Sequence, residues 1–109
     1  MENNHILGLY VAYYLARFND EALRNLEYPT WTYAYRDIGE KLHVNKHSVN
    51  HWRDEFDPLF GHRVGWNQRP MAPSREQVSR QLEHRNEREI RQIVSKILTG
   101  EITESSEII

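Results

Sequence analysis
The chain contains no cysteine, so neither a disulfide framework nor a thiolate metal site is available to it. It also lacks any long apolar run. No stretch approaches the ~20 residues that span a bilayer, and the N-terminus carries no basic region ahead of an apolar core. A soluble, cytoplasmic protein is the expectation. An excess of positive charge is missing too: the formal net charge is -2, which weighs against a nucleic-acid partner until charge is resolved along the chain. Residues 1–42 carry four Lys/Arg and six Asp/Glu, residues 43–75 carry five and three, and residues 76–109 carry five and seven. The middle third alone is net positive, and it holds four of the six histidines. Screening limits the reach of a charge to about 8 Å at physiological salt, so local charge decides whether phosphate is attracted.

At 109 residues the chain has the length of one domain with a single core, and it is organised around Tyr35–Asp54, YRDIGEKLHVNKHSVNHWRD. Ile38 and Leu42 are one helical turn apart and share a face, as do Val49 and Trp52, while Val44 falls between the two sets and can plug the gap. These are the positions that two short crossed helices need. Gly39 lies on the inner side of the first helix, where a side chain would hold the second helix off. That is a reason to accept glycine's helix penalty of roughly 1 kcal/mol.

The small residue, the apolar set and the polar second helix together resemble the helix-turn-helix of DNA-binding proteins such as phage repressors and many bacterial regulators. One position departs from that pattern: His43 stands where the turn usually has glycine, and histidine visits positive φ only at some cost. The resemblance implies that Lys46–Glu55 is a recognition helix lying in the major groove. With Val49 and Trp52 inward, Asn45, Lys46, His47, Asn50 and His51 lie outward, and asparagine can bond adenine N6 and N7 as a bidentate pair. The candidate base contacts are therefore Asn45, His47, Asn50 and His51, and the candidate phosphate contacts are Arg36, Lys46, Arg53, Arg63 and Arg69.

Ahead of the motif, ILGLYVAYYLARF (6–18) predicts a core helix capped by Asn3 or Asn4, with Leu7, Tyr10, Val11, Tyr14, Leu15 and Phe18 at helical spacing. Aromatic stripes of this spacing are core packing far more often than stacking platforms for bases, so Tyr10, Tyr13 and Tyr14 are assigned to the core. Asp20 is placed to cap a short helix, Glu21–Leu26, which Tyr28-Pro29 ends. Thr30 or Thr32 starts the next helix, whose apolar face Trp31, Ala34, Tyr35 and Ile38 runs into the motif.

Beyond the motif, Asp54, Glu55 and Asp57 oppose the macrodipole at a helix C-terminus, so partners such as Arg36, Arg53 or Arg63 are expected for them in preference to a metal ion. The basic segment 60–75, with two glycines and two prolines within FGHRVGWNQRPMAPSR, reads as a minor-groove arm, a small wing around Val64 and Trp66, or a linker anchored by Trp66. Ser74 and Gln77 have the spacing of a capping box, with Val78 and Leu82 inward. Asn86 and Glu89 open a last helix whose stripe Ile90, Ile93, Val94, Ile97 and Leu98 ends at Gly100 and packs either on the first helix or on a second copy of the chain. Residues 101–109, EITESSEII, read as a polar tail or the start of a connection.

Taken over Tyr13–Leu98, the pieces YYLARF, WTYAYRDIGEKL, RDEFDP, GW..RP and EIRQIVSKIL also resemble a small helical module at the N-terminus of some bacterial restriction and defence proteins. That resemblance implies a target-recognition role beside a catalytic partner and adds no catalytic residue to this chain. The run His43, Asn45, His47, Asn50, His51 invites comparison with His-Asn-His nucleases, whose site needs a hairpin followed by a helix. Here the residues fall on a turn and one helix. His47 and His51 have the i, i+4 spacing of zincin ligands, but Ser48, Val49 and Asn50 stand between them without a glutamate base, and no third ligand is evident. The reading is an all-α domain over residues 1–100, with a helix-turn-helix at 35–54, a basic loop at 60–75 and C-terminal helices at 75–99. It is expected to bind duplex DNA with some sequence preference, as a transcriptional regulator or as the target-recognition module of a restriction or defence system, without cofactor or metal and without being an enzyme, and it allows a homodimer or a defence-system partner. A helical protein-interaction module is the alternative.

Overall fold
Every residue from 7 to 16 is buried, and the rest of the chain is arranged around that fact. The structure is a computed structural model that describes residues 2–60 and 71–108. Its helices are α1 (Glu2–Phe18), α2 (Asp20–Asn25), α3 (Trp31–Leu42), α4 (Lys46–Phe56), α5 (Pro73–Leu82) and α6 (Glu87–Thr99). Short 3-10 turns follow at Asp57–Leu59 and Ser105–Glu107, and there is no strand among the described residues. The fold is all-α.

The one-sided face expected for α1 is corrected by its surroundings. Leu9, Ala12, Tyr13 and Ala16 are as buried as Leu7, Val11 and Leu15, whereas Phe18 is only partly covered. All five other α-helices pack on α1, α4 most extensively, which is the position a helix apolar on all sides requires. The tyrosines are core residues, and their hydroxyls find partners as buried phenols do. Tyr10 donates to Gln81 of α5, and Tyr14 donates to Glu87 Oε2 of α6 at 2.6 Å. Burial first, and then the Glu87 carboxylate, push the Tyr14 phenol well above its ordinary range.

Several local expectations hold. Thr30 Oγ1 accepts from Tyr33 N at 3.1 Å to begin α3. Asn86 and Glu89 form a reciprocal capping box at the start of α6, and its apolar stripe packs on α1 and α3 of the same chain. Three differ. Asp20 lies inside α2, and Asn19 precedes it at φ 51° without capping, because its side-chain oxygen accepts from Arg53 instead. α5 begins at Pro73, whose fixed φ and missing N–H suit the first helical position. Ser74 Oγ then accepts from Arg75 at 2.9 Å, so the expected box with Gln77 does not form. Residues 101–108 are no free tail: Ile102 and Ile108 join the core, and Glu107 accepts from Thr103 N at 2.9 Å. Arg63, Val64, Trp66 and Arg69 lie outside the described residues, and with them the choice between arm, wing and linker.

α2, α3 and α6 end alike. Each closes on a left-handed residue: Glu27 (φ 62°), His43 (φ 58°) and Gly100 (φ 85°). In each the next amide bonds back to a carbonyl five residues earlier, Tyr28 N to Leu23 O at 3.0 Å, Val44 N to Gly39 O at 2.9 Å and Glu101 N to Lys96 O at 2.9 Å. Only the third has the residue that enters this region without a Cβ penalty. His43→Gly is therefore expected to raise the unfolding free energy by about 0.5–1 kcal/mol, measured by urea denaturation. A loss of stability would show that the imidazole is needed for the turn.

Candidate nucleic-acid interface
α3 and α4 meet backbone to backbone. A Cβ on Gly39 would lie 2.8 Å from Val44 O and 3.2 Å from Lys46 N, so no larger residue fits without moving the turn. The left-handed His43 reverses the chain, and Asn45 Oδ1 accepts from His47 N at 2.7 Å to start α4. Together these contacts fix where α4 begins relative to α3.

How α4 rolls is set by what it buries: Val49, Trp52, Arg53 and Phe56. Trp52 packs against the bare backbone of Gly8 in α1, where an added Cβ would collide with its ring. His5 meets the same indole edge-on at 4.7 Å, and Phe56 meets Tyr13 edge-on at 5.5 Å. Burial, then the Arg75 guanidinium, hold the His5 imidazole below its ordinary value against the opposing Glu55 carboxylate.

Arg53 corrects one sequence expectation. It was a phosphate candidate, yet it is only 2% exposed. Its guanidinium lies 3.6 Å from the Trp31 ring centroid, donates to Tyr35 Oη at 2.8 Å and donates to Asn19 Oδ1. Position 53 is on the face between α4 and α3, where a planar, weakly hydrated cation can stack and fork. It positions α4 and cannot reach a ligand.

The remaining candidates fall into two groups. Lys46 and His47 are exposed on the first turn of α4, and Asn50 and His51 are half-buried on the next. Arg36 is exposed one turn before Gly39, on the flank of α3 that meets this end of α4, and its guanidinium lies 5.9 Å from the Tyr33 ring centroid. The four residues of α4 share one surface, and Arg36 precedes by one turn the Gly39 contact at its edge. Asn45 is exposed at its edge, where one lone pair of its side-chain oxygen caps α4 by accepting from His47 N. Asn50, one turn further on and with no capping role, offers a second amide of the kind that pairs with adenine. Arg63 and Arg69 are outside the described residues.

Asp54 shares the outward face of α4 with His47 and Asn50, seven and four residues on. The sequence reading grouped it with the acids at the helix exit; the spacing that places it among the outward residues was already legible. Glu55 does find an arginine, but it is Arg75 of α5, with Arg75 Nη2 3.1 Å from Glu55 Oε1. Asp57 is fully buried. The described residues contain no cluster of three or more metal-ligating side chains, and no described helix is long and apolar enough to cross a membrane. Comparisons with protein-family models, curated proteins and solved structures return no match for this chain.

Two substitutions test this geometry. Gly39→Ala gains roughly 1 kcal/mol of helix propensity but must displace a backbone carbonyl, so a net loss of about 1–2 kcal/mol is expected in urea unfolding. An unchanged or higher stability would contradict the close approach. Arg53→Ala should cost about 2–4 kcal/mol through lost packing and orphaned polar groups, whereas Arg53→Met, which keeps most of the volume, should cost less than about 1.5 kcal/mol. A cost below about 0.5 kcal/mol for the alanine variant would show that Arg53 does not hold α4.

Proposed function
We propose that this chain binds duplex DNA with sequence preference through the α3–α4 helix-turn-helix, as a transcriptional regulator or as the target-recognition module of a restriction or defence system. The observation that carries the reading is the turn itself. A left-handed residue at 43 and a Cβ-free contact at 39 seat α4 so that Val49, Trp52, Arg53 and Phe56 face inward and the outer side of its first two turns is polar. The positive end of the α4 dipole, Lys46 and Arg36 coincide at that end, which favours phosphate there. His47, Asn50 and His51 then lie where base edges would be, and Asp54 adds an acceptor suited to a cytosine amine.

An acid, Asp54, on the outward face of α4 favours a second reading, docking on another protein. Salt dependence separates the two, because counterion release from phosphates gives a steep slope that a protein interface rarely matches. Random duplexes retained by the purified protein at about 0.15 M salt are expected to yield an enriched motif. Asn50→Ala should relax one or two positions of it, a discrimination of about 1–3 kcal/mol per bidentate contact. Lys46→Ala should weaken binding to all sequences and lower the salt slope by about one unit. A sequence profile untouched by Asn50→Ala removes the assigned helix from the interface. No retention even at low salt moves the weight to the protein-docking reading.

A further inference from the structure
Two phosphate contacts, Arg36 and Lys46, would give a salt slope of only about -2 for one protomer, and the surface carries further cations. Among the described residues, Lys41, Arg75, Arg80 and Arg91 are ion-paired with Asp37, Glu55, Glu76 and Glu87. Arg53 is buried and Arg17 donates to Leu82 O. Arg24 on α2, Arg85 between α5 and α6, and Arg88 and Lys96, both exposed on α6, have no ion pair among the described residues, and of these Arg88 and Lys96 lie together.

Arg88 and Lys96 are not isolated. They line one surface hollow with Arg91, Gln92 and Ser95, a set with three cations, two neutral hydrogen-bonding groups and no carboxylate. The nearby acids are occupied. Glu89 closes the capping box, and Glu87 accepts from Tyr14 and Asn25 besides pairing with Arg91. The inner stripe Ile90, Val94 and Ile97 is buried against α1 and α3, so this cationic side is the one α6 turns to solvent.

The position of α6 relative to α4 follows from α3. Gly39 of α3 touches the start of α4, while Tyr33, Asp37 and Lys41 border a shared groove with Ser95 and Thr99 of α6. α3 thus stands between the other two at the surface. Packed helices are about 8–10 Å apart, so the axes of α4 and α6 are separated by about 16–20 Å at most. A helix seated in a major groove about 12 Å wide has a phosphate backbone on either side. From these placements we infer that the outer face of α6 is a second contact on the same duplex, in which Arg88 and Lys96, and Arg91 on exchanging its pair with Glu87 for a phosphate, engage the backbone phosphates beyond α3. This rests on the α4 reading, deepens it, and is sequence-independent by chemistry, because phosphates carry no base identity.

The test compares the wild-type chain with the double variant Arg88→Gln/Lys96→Gln on a random-sequence 20-base-pair duplex across a salt titration, folding being checked by thermal melting. Both side chains are exposed and have no ion pair among the described residues, so the melting curve should not move. The wild type should show a slope of about -4 to -5, and the double variant should lose about two units of it while the enriched motif stays the same. Wild-type binding with an unchanged slope in the double variant overturns the α6 contact and leaves the α4 reading standing. Loss of slope in the double variant, with Lys46→Ala and Asn50→Ala both silent, supports the α6 phosphate contact and overturns the α4 reading. No wild-type retention at low salt overturns both and leaves an acidic protein surface as the partner for the α6 cations.

Discussion
One buried guanidinium joins three parts of the fold. Arg53 reaches from α4 to the Trp31 ring and Tyr35 hydroxyl of α3 and to Asn19 at the α1–α2 junction. Removing such a cation from water costs several kcal/mol, set against about 2 kcal/mol for a desolvated cation–π contact and about 1.5–3 kcal/mol for each charged hydrogen bond. The net contribution is small by that arithmetic. What the arrangement supplies is direction: only one rotation of α4 satisfies a stacked ring and two acceptors at once, and that rotation puts Val49, Trp52 and Phe56 against the core.

The surface follows from that rotation. With four residues of an eleven-residue helix turned inward, the others have no choice of side, and Lys46, His47, Asn50, His51 and Asp54 share the exposed arc. The same logic orders α6, whose apolar stripe is spent on α1 and α3 and whose cations are left outside. A chain of net charge -2 can then still present local positive surface, because most of its carboxylates near those surfaces are held in caps and ion pairs. Asp37 illustrates this: burial alone would raise its carboxyl, but bonds from Tyr28 and Lys41 outweigh burial and hold it below the usual range.

Much of this was legible in the sequence because it depends on short spacings. Ile38/Leu42 and Val49/Trp52 announce two faces, Gly39 a close approach, Asn86/Glu89 a cap and Gly100 a stop. What escaped depends on long-range neighbours. Periodicity marks one face of α1 and cannot say that helices will cover the others. The type of residue 53 suggested a phosphate ligand, and only the proximity of Trp31, Tyr35 and Asn19 shows that the core uses it. Asn45 and Asn50 look alike as amides until one is seen closing a helix end. The capping pattern at Ser74 lost to Pro73, a neighbouring residue with a stronger claim on the first turn.

Seating of α4 on DNA is read most directly by titrating 15N-labelled protein with a duplex drawn from the retained pool and following backbone amide shifts at low salt. Perturbations are expected to concentrate from Gly39 to Asp54 and to be largest in the first two turns of α4, with the Arg53 side chain unmoved. Shifts that avoid α4 altogether, or none at any duplex concentration, would contradict that seating.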